Sequence, residues 1–442
     1  MSQPPADDEA DEQRSRHEPS QDANSGRGAS TASRPTYFPD QSAGATRPFV
    51  PGFGRTPPFL AGRSSLITEL CAGLDAGPDD PRSVSVLLGA RGMGKTVVLN
   101  EVEDAAVGER GWVSLSLAGT DGDLLTAVHL AVLRARTALE AEAADIKPRR
   151  RLAGLKVGAS AFGADVELGA SWESDPTAAS LRRTEPGVDL RYDLTGLAEL
   201  AESHGSKVLL TLDEIHAVPA AHVRQLGSIL QHIVMREGRA VAFLGAGLTY
   251  VVDTLLSHRS AATFLSRAPR FHISYLSDDE VRLGLSEPVR QSGGSVESSA
   301  LTEAVGAIRG HPYLLQLVGA HSWDAAPAAP EPGAGKRIGL ADVRVGIRRA
   351  ERDLDDHLLR PTWSALSSND RRFVHAMAAD GRPSRIAALR ERLGMSSQQV
   401  NNYRHRLMLA GMIRPVGRGY VEYVYPDTQR WLAAAVKNDE GP

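Results

Sequence analysis

Hydrophobic positions follow two alternating patterns along most of this chain. Short continuous apolar runs, typical of strands buried on both faces, are each followed by a longer stretch in which apolar residues recur every three or four positions. The strand candidates are Val84 to Leu88, Trp112 to Leu117, Lys207 to Leu212, Ala240 to Leu244 and Arg270 to Ser274. The helix candidates are Lys95 to Val107, Leu124 to Glu142, Asp189 to Ser203 and Ala221 to Arg236. This alternation predicts an α/β domain of three layers, with helices on both faces of a parallel sheet.

Two segments do not follow this alternation. Residues 1–50 are rich in Ser, Pro, Asp, Glu and Gly and have no apolar period, which predicts a disordered N-terminal tail. The segment at about 152–173 contains two runs of period two around a glycine turn, which predicts a β-hairpin inserted between the second and third strands. A plain surface loop is the second interpretation of that segment.

The pattern becomes helical after residue 275, until a stretch rich in Ala, Pro and Gly interrupts it. The predicted units are a core at 51–275, a helical lid at 276–324, a linker at 325–339, a connecting helix at 340–362 and a last domain at 363–435. We therefore expect the residues that bear chemistry to be shared among a core, a lid and a separate C-terminal domain.

Composition narrows the class of protein. A chain of 442 residues with 42% hydrophobic content can bury two or three cores, so several domains are expected. Cys71 is the only cysteine, which excludes a disulfide framework and favours a reducing compartment. No apolar run reaches the roughly 20 residues that span a bilayer, and the first residues lack a signal-peptide pattern. We therefore expect a cytoplasmic protein without a membrane partner.

The strongest functional motif follows the first predicted strand. The sequence Gly-Ala-Arg-Gly-Met-Gly-Lys-Thr has the spacing of a P-loop between a strand and a helix. In a P-loop, backbone N–H groups surround phosphates, the lysine neutralises the terminal phosphates and the hydroxyl binds magnesium. The motif therefore predicts ATP as the ligand and gives Lys95 a catalytic role. The predicted nucleotide-binding residues of the loop are Gly89, Ala90, Arg91, Gly92, Met93, Gly94, Lys95, Thr96 and Val97.

A pair of acids completes this prediction. The apolar run Val208 to Leu212 ends in Asp213 and Glu214, where a buried parallel strand would reach the P-loop. We predict that Asp213 and Thr96 hold Mg²⁺ and that Glu214 activates the attacking water. The alternative is that the two acids only cap the helix that begins near Pro219.

These motifs together resemble those of AAA+ type P-loop ATPases, in particular the origin-recognition initiator, archaeal ATPase and STAND groups. The likeness rests on the P-loop, the acidic strand end, the strand Val241 to Gly245, the segment Phe59 to Arg63, and Gly310-His311-Pro312, which is similar to the Gly-x-Pro element of a STAND lid. The resemblance implies that the helices after Ser274 form a lid. It places around the adenine base the residues Phe59, Gly62, Arg63 and Pro312.

Two departures from the pattern of that family predict slow hydrolysis. The fourth strand usually ends in a polar sensor residue, but Leu244 to Leu248 contains none. The lid offers no sensor arginine near Gly310 other than Arg309. The same resemblance places Arg267 and Arg270 where such ATPases project an arginine finger into a neighbouring subunit, which implies a homo-oligomer. Ordinary surface arginines are the alternative.

The C-terminal region has the pattern of a nucleic-acid-binding domain. Arg385 to Ser396 and Ser397 to Leu407 predict two amphipathic helices joined by a short turn, and Ala410 to Val424 predicts two strands around a Gly-Arg-Gly turn. This arrangement resembles a winged helix-turn-helix domain. The residues predicted to contact DNA are Gln398, Gln399, Asn401, Asn402, Arg404, Arg406 and Arg418.

Local charge supports that prediction. Residues 382–418 contain eight arginines and one acid, Glu391, so the segment has a net charge of +7 although the whole chain has −4. The first hypothesis is an ATP-dependent switch that binds duplex DNA. The second is a STAND-like signalling switch, in which the winged helix is a lever that contacts protein and does not bind DNA.

Overall fold

The computed structural model describes residues 47–432, except for residues 53, 120–122, 146–153, 160–185, 250–251, 253–254, 256–262, 329–334, 381–382, 426–427 and 430. Residues 1–46 of the predicted tail, and residues 160–173 of the predicted hairpin, lie outside the described residues. In the described part of the chain, none of the helices is both long and apolar enough to cross a bilayer.

Six strands form one parallel sheet in the order β3-β2-β4-β5-β1-β6. These strands are β1 (Val84–Leu88), β2 (Val113–Ala118), β3 (Leu155–Ala159), β4 (Val208–Asp213), β5 (Val241–Gly247) and β6 (Arg270–His272). The helices of this part of the chain are α1 (Ser64–Ala76), α2 (Lys95–Asp104), α3 (Leu124–Asp145), α4 (Pro186–Ser203), α5 (Ala220–Gln231) and α6 (Thr263–Ser266). Every residue of β1 and β5 is buried because both faces of the sheet are covered. The predicted αβα fold is therefore confirmed.

Each face of the sheet has its own hydrophobic core. On one face, Val128 of α3, Leu194 of α4 and Leu226 of α5 pack against the sheet. On the other face, Leu74 of α1 and Val98 of α2 pack with it. Because α2 is anchored in this second core, the loop that precedes it is fixed relative to the carboxyl end of β1.

The edge strand β3 corrects one prediction. The sequence predicts that Leu155 begins a hairpin insert, but Leu155–Ala159 pairs in parallel with β2, from Val113↔Leu155 to Leu117↔Ala159. The run is therefore a sixth strand of the core sheet. Alternation of period two indicates a strand with one covered and one open face, and both an edge strand and a hairpin arm meet that description.

Among the described residues, four helices follow the sheet where the sequence predicts a lid, and we call this group of helices the lid. They are α7 (Asp278–Gln291), α8 (Ser298–Ile308), α9 (Pro312–Ala325) and α10 (Leu340–Leu354), with a short parallel pair of β7 (Ser295–Val296) and β8 (Arg337–Ile338). The sequence predicts α10 as part of a separate connecting helix, but α10 packs closely along α9. At their crossing, a Cβ on Gly346 would lie 2.2 Å from Ser322 Oγ, so only glycine fits there.

Residues 47–52 belong to the folded unit, although the sequence predicts a tail up to residue 50. The side chain of Phe49 is 1% exposed and packs on Gly319 of α9, where a Cβ would lie 2.6 Å from the phenyl ring. The Val50 N–H donates to Gln316 Oε1 at 3.0 Å. The segment therefore fastens the N-terminal side of the core to the lid.

The described part of the C-terminal unit, residues 360–432, contains helices and a three-stranded antiparallel sheet in the order β10-β11-β9. Its elements are α11 (Arg360–Ala365), α12 (Ser368–Ala378), β9 (Ser384–Arg385), α13 (Ile386–Leu393), α14 (Ser397–Leu409), β10 (Ile413–Pro415) and β11 (Tyr420–Tyr423). Capping boxes at Ser367 and Ser396 begin α12 and α14. Gly394, at φ 64°, ends α13 and allows the tight turn into α14. The core of this unit is continuous with that of the lid.

Candidate nucleotide site

The P-loop, residues 89–96, joins β1 to α2 at the carboxyl end of the sheet. Gly92 and Gly94 have φ angles of 75° and 87°, which L side chains rarely adopt. The Lys95 side chain is 5% exposed, and its Nζ donates to the carbonyl oxygens of Ala90 at 3.1 Å and Gly89 at 3.3 Å. The first N–H groups of α2 have no partners within the helix, which suits phosphate binding.

The acidic end of β4 lies beside this loop. Thr96 Oγ1 donates to Asp213 Oδ2 at 2.5 Å, so the structure brings the two predicted metal ligands together. Gly119, which follows β2, packs so closely that a Cβ on it would lie 2.3 Å from the carbonyl oxygen of Glu214. Sequence reasoning missed Gly119, because its role follows only from the pairing of β2 with β4.

Glu214 is held by His216. The backbone of Glu214 is left-handed, with φ 51°, which costs a non-glycine residue roughly 1 kcal/mol. Glu214 Oε2 lies 3.1 Å from His216 Nε2, and His216 Nδ1 accepts the N–H of Leu248 at 3.4 Å. A neutral ring therefore carries its proton on Nε2 and donates it to the carboxylate. His216 thus links Glu214 to the end of β5, where the sequence offers no polar sensor residue.

The pKa values of Lys95, Asp213 and Glu214 are shifted from their ordinary values. Burial lowers the pKa of the Lys95 ammonium, although Glu214 and Asp213 act in the opposite direction. Burial raises the pKa of Asp213, against the effect of the hydrogen bond from Thr96. The hydrogen bond from His216 lowers the pKa of Glu214 below its ordinary value. Glu214 is therefore a carboxylate at neutral pH and can accept a proton.

A cavity of about 320 Å³ opens beside the P-loop. Residues 91–97 line it together with Glu214, and so do the predicted base-contacting residues Phe59, Arg63 and Pro312. The sequence does not indicate the other lining residues from 50–61 and from α9, which include Val50, Arg55, Tyr313 and Gln316. These residues reach the cavity through long-range packing of the N-terminal segment on the lid, for which the sequence has no local signal.

Two of the residues predicted around the base have structural duties. The Arg63 guanidinium donates to the carbonyl oxygens of Ser274 at 2.8 Å and Met93 at 3.5 Å, so it ties α1 to the P-loop and to the end of β6. Gly62 does not line the cavity: its φ is 65°, and a Cβ would lie 2.4 Å from Glu280 Oε1. The placement of Gly62 at the base stays a prediction, and in the structure its lack of a side chain allows a close approach to α7.

The remaining candidate arginines lie away from the cavity. Arg309, the lid's candidate sensor, lines a separate groove between α8 and α10. Arg267 and Arg270 are exposed near β6, the edge strand beside β1, and neither lines the nucleotide cavity. An arginine-finger role for this pair requires a second subunit and stays a prediction.

The donor set fits Mg²⁺. Within the residues that the structure describes, no group of three or more His, Cys, Asp or Glu side chains is arranged to hold a metal ion. Mg²⁺ in nucleotide sites needs no such cage, because substrate phosphates and water supply most of its ligands. The adjacent hydroxyl of Thr96 and carboxylate of Asp213 provide the oxygen donors that remain.

The C-terminal unit contacts the P-loop itself. A Cβ on Gly92 would lie 2.7 Å from His311 Cε1, so the lid histidine rests directly on the loop. The His311 ring lies 5.0 Å from the Tyr425 ring, and the Tyr275 hydroxyl donates to the carbonyl oxygen of Val424 at 3.3 Å. We call this contact region the P-loop junction: Arg91, Gly92, Tyr275, His311, Gly411, Arg414 and Tyr425.

The P-loop junction buries polar groups without hydrogen-bond partners. Both ring nitrogens of His311 and the Tyr425 hydroxyl are buried, and no hydrogen bond reaches them from the described residues. Burial, with a smaller effect of the Arg414 charge, lowers the pKa of His311 to about 3. The Arg414 guanidinium lies 3.6 Å from the centre of the Tyr275 ring. His311 is therefore neutral in the P-loop junction.

Three arginines of the basic C-terminal segment are paired inside the unit. Arg392 lies 2.5 Å from Asp380, Arg406 lies 2.6 Å from Asp370, and Arg414 is paired with Glu422. Asp370 is 1% exposed, so its partner has a structural task. The sequence count of +7 leaves out these acids because they lie outside residues 382–418.

The predicted DNA-contacting residues divide accordingly. Gln398, Asn401, Asn402 and Arg418 are exposed. The other predicted residues, Gln399, Arg404 and Arg406, are engaged or less accessible: Gln399 Oε1 accepts the Ser396 N–H in the capping box, Arg404 is half-buried, and Arg406 pairs with Asp370. The exposed face of α14 and the turn between β10 and β11 therefore remain available to a partner.

Comparison with protein families assigns the nucleotide site to a known class. Residues 60–241 match the family model of the AAA ATPase domain. This part of the chain is therefore similar to AAA ATPase domains, and the match supports ATPase activity. Residues 356–432 match a domain of unknown function, DUF8462. No curated protein matches the chain significantly.

Two solved structures share the fold over most of the chain. The Walker-type ATPase PABY2304 of Pyrococcus abyssi is 14% identical with a TM-score of 0.54, over 85% of this chain and 96% of that chain. The Aeropyrum pernix ORC2 protein, described as ADPNP-ADP complexes, is 14% identical with a TM-score of 0.55, over 88% of this chain and 96% of that chain. At such identities the likeness shows the fold alone.

Proposed function

We propose that this protein is an ATP-operated switch that hydrolyses ATP slowly and responds to the bound nucleotide with a change in conformation or oligomeric state. The observation that carries the proposal is the convergence of Lys95, Thr96 and Glu214 on one cavity at the P-loop, where Thr96 also donates a hydrogen bond to Asp213. The P-loop junction places the C-terminal unit against the same loop. Nucleotide binding and the position of that unit are therefore connected through the loop.

Hydrolysis at this site requires a base for the attacking water. Glu214 takes one proton of that water while the oxygen of the water bonds to the γ-phosphorus. The bond between the γ-phosphorus and the β–γ bridging oxygen breaks, and its electron pair stays on the bridging oxygen. The products are ADP and phosphate. Lys95 neutralises phosphate charge, and Mg²⁺, held by Thr96 and Asp213, would do the same when bound. The hydrogen bond from His216 makes Glu214 a weaker base, which supports slow turnover.

The substitution Glu214→Gln tests the chemical step. It removes the proton acceptor at nearly constant size, so we expect ATP affinity within about threefold of wild type and turnover about 100-fold lower. A fluorescent ATP analogue measures affinity, and phosphate release measures turnover. Glu391→Gln, at an exposed position in the C-terminal unit, is the matched control. Turnover at the wild-type rate in Glu214→Gln would remove Glu214 from the mechanism.

We further propose that the C-terminal unit is a winged helix-turn-helix domain that binds duplex DNA. The exposed amides of Gln398, Asn401 and Asn402 on α14 suit base edges, and Arg418 in the turn between β10 and β11 suits a phosphate. The three internally paired arginines are left out of this proposed surface. Its charge is therefore smaller than the sequence count of +7, and we expect modest affinity.

Filter binding to duplex DNA with ATP, with ADP and without nucleotide tests this part of the proposal. Affinity should fall with rising salt, and Arg418→Ala should reduce the salt slope by about one phosphate contact. Arg349→Ala, an exposed arginine on the lid helix α10, should leave binding unchanged. Absence of binding in all three nucleotide states would exclude a DNA-binding role.

A second candidate function is a nucleotide-operated switch whose partner is a protein. The internal pairing of Arg392, Arg406 and Arg414 favours it, because these side chains are unavailable to phosphates. This candidate predicts nucleotide-dependent oligomerisation on a sizing column without affinity for DNA. Substitution of Arg267 and Arg270 would then lower turnover only in the oligomer.

A further inference from the structure

Arg91 lies in the P-loop, and the mechanism above gives it no role. Its side chain lines the nucleotide cavity together with Lys95 and Glu214. The residue therefore lies on the wall of the same cavity as the two groups to which the proposed chemistry is assigned.

The other arginines of the described chain do not fill this position. The Arg63 guanidinium is bonded to two carbonyl groups, and Arg309 lies in the outer groove of the lid. Arg55 also lines the cavity, but it comes from the N-terminal segment and packs on Gly52. Arg91 stands four residues before Lys95, on the loop that surrounds phosphates.

The C-terminal unit holds the stem of this side chain. Gly411 ends α14 with φ 70°, and a Cβ on it would lie 3.2 Å from Arg91 Cδ and 3.4 Å from Arg91 Cβ. The turn is fixed by hydrogen bonds from the Gly411 N–H to the Met408 carbonyl and from the Met412 N–H to the Leu407 carbonyl. The aliphatic part of the Arg91 side chain therefore packs against the backbone of this turn.

We propose that Arg91 contacts the terminal phosphate of bound ATP from within the same chain, and that the turn at Gly411 positions it there. The inference rests on the proposed ATPase function and assigns two further residues to it. A guanidinium places parallel N–H donors on two phosphate oxygens and offsets the charge of the transferring phosphoryl group. Arg91 thereby supplies in cis the positive charge that the lid lacks.

The arrangement makes ATP recognition depend on the docked C-terminal unit. When the turn at Gly411 moves away, the Arg91 side chain loses its support and gains rotamers, so its contact with the phosphate weakens. ADP lacks the terminal phosphate and is unaffected. A partner that pulls on the C-terminal unit would therefore change the preference for ATP over ADP, without altering the remainder of the P-loop.

The test compares affinities for ATPγS and ADP in the full-length protein. Arg91→Ala should weaken ATPγS binding about tenfold, leave ADP within about twofold, and lower turnover by one to two orders of magnitude. Arg91→Lys should restore part of the ATPγS affinity, and Arg349→Ala, an exposed position outside the cavity, is the matched control. Equal effects of Arg91→Ala on both nucleotides, or no effect on either, would overturn the phosphate contact.

A double-mutant cycle tests the positioning role of Gly411. Gly411→Val should weaken ATPγS binding about fivefold in the wild-type background and should add nothing in the Arg91→Ala background. A valine at the positive φ of Gly411 also strains the turn, so a second variant is needed. Arg414→Ala removes the contact of Arg414 with the Tyr275 ring and so loosens the docking of the C-terminal unit. Thermal melts test whether each variant is folded. Equal effects in both backgrounds would refute the positioning role. The proposed function has its own readout, since Lys95→Ala must weaken both nucleotides alike.

Discussion

The P-loop and the C-terminal basic segment both carry charged residues at suggestive spacing, but the fold uses these charges differently. At the P-loop, Lys95, Thr96 and Glu214 line one cavity, and Asp213 accepts a hydrogen bond from Thr96. In the C-terminal unit, the arginines at 392, 406 and 414 face acids of their own unit. A motif whose geometry is local to one loop can therefore be read from sequence, whereas a charge count depends on partners outside the counted window.

Lys95→Ala should have the largest effect, because it removes the buried cation of the P-loop. We expect the affinities for ATP and ADP to fall by about 100-fold or more. Isothermal calorimetry on the full-length chain measures both constants. Lys207→Ala, whose Nζ donates to the carbonyl oxygens of Leu74 and Asp75 outside the cavity, is the control. Unchanged affinity in Lys95→Ala would show that Lys95 does not bind the nucleotide phosphates.

Arg406→Ala tests the other side of the comparison. The buried carboxylate of Asp370 would lose its ion partner and keep only its hydrogen bonds from Ser367. The free energy of unfolding should therefore fall by about 1–2 kcal/mol. This is less than the usual cost of breaking a buried ion pair, because Arg406 is half exposed. Urea unfolding measures the change. Arg418→Ala should leave stability unchanged. Equal stability of the two variants would show that Arg406 is available to a ligand after all.

The pH dependence of stability tests the P-loop junction, where the C-terminal unit meets the P-loop. Burial, with a smaller effect of the Arg414 charge, lowers the pKa of His311 from its ordinary value of 6.5 to about 3 in the folded protein. Below pH 6.5, His311 binds a proton in the unfolded chain but not in the folded chain. The free energy of unfolding therefore decreases as the pH falls below 6.5, by at most about 1.4 kcal/mol per pH unit. His311→Leu should flatten this part of the profile in urea unfolding between pH 7.5 and 5.5. An identical slope in both proteins would refute the assignment.

Local patterns were sufficient to predict much of the core. The β1–loop–α2 unit and the acidic end of β4 follow from burial on both faces and from the common edge of parallel strands. The edge strand β3 was not recognised, because period two does not distinguish an edge strand from a hairpin arm. Gly119 could be found only after the strand order was known.

Contacts between distant segments account for what the sequence did not indicate. Val50 and Gln316 line the cavity although they are 266 positions apart, and neither belongs to a motif. The role of Gly411 depends on a meeting of the turn after α14 with Arg91. Such meetings are determined by the packing of whole units, for which no spacing rule exists within one segment.

Phe49 has a practical consequence for anyone who studies the ATPase domain alone. The family match begins at residue 60, but the phenyl ring of Phe49 fills the hollow over Gly319. A fragment that starts at residue 60 would leave that apolar hollow open to water and would lose Val50 from the cavity wall. Expression of a shortened protein should therefore begin no later than Arg47, whose ion pair with Asp324 fastens the segment to α9.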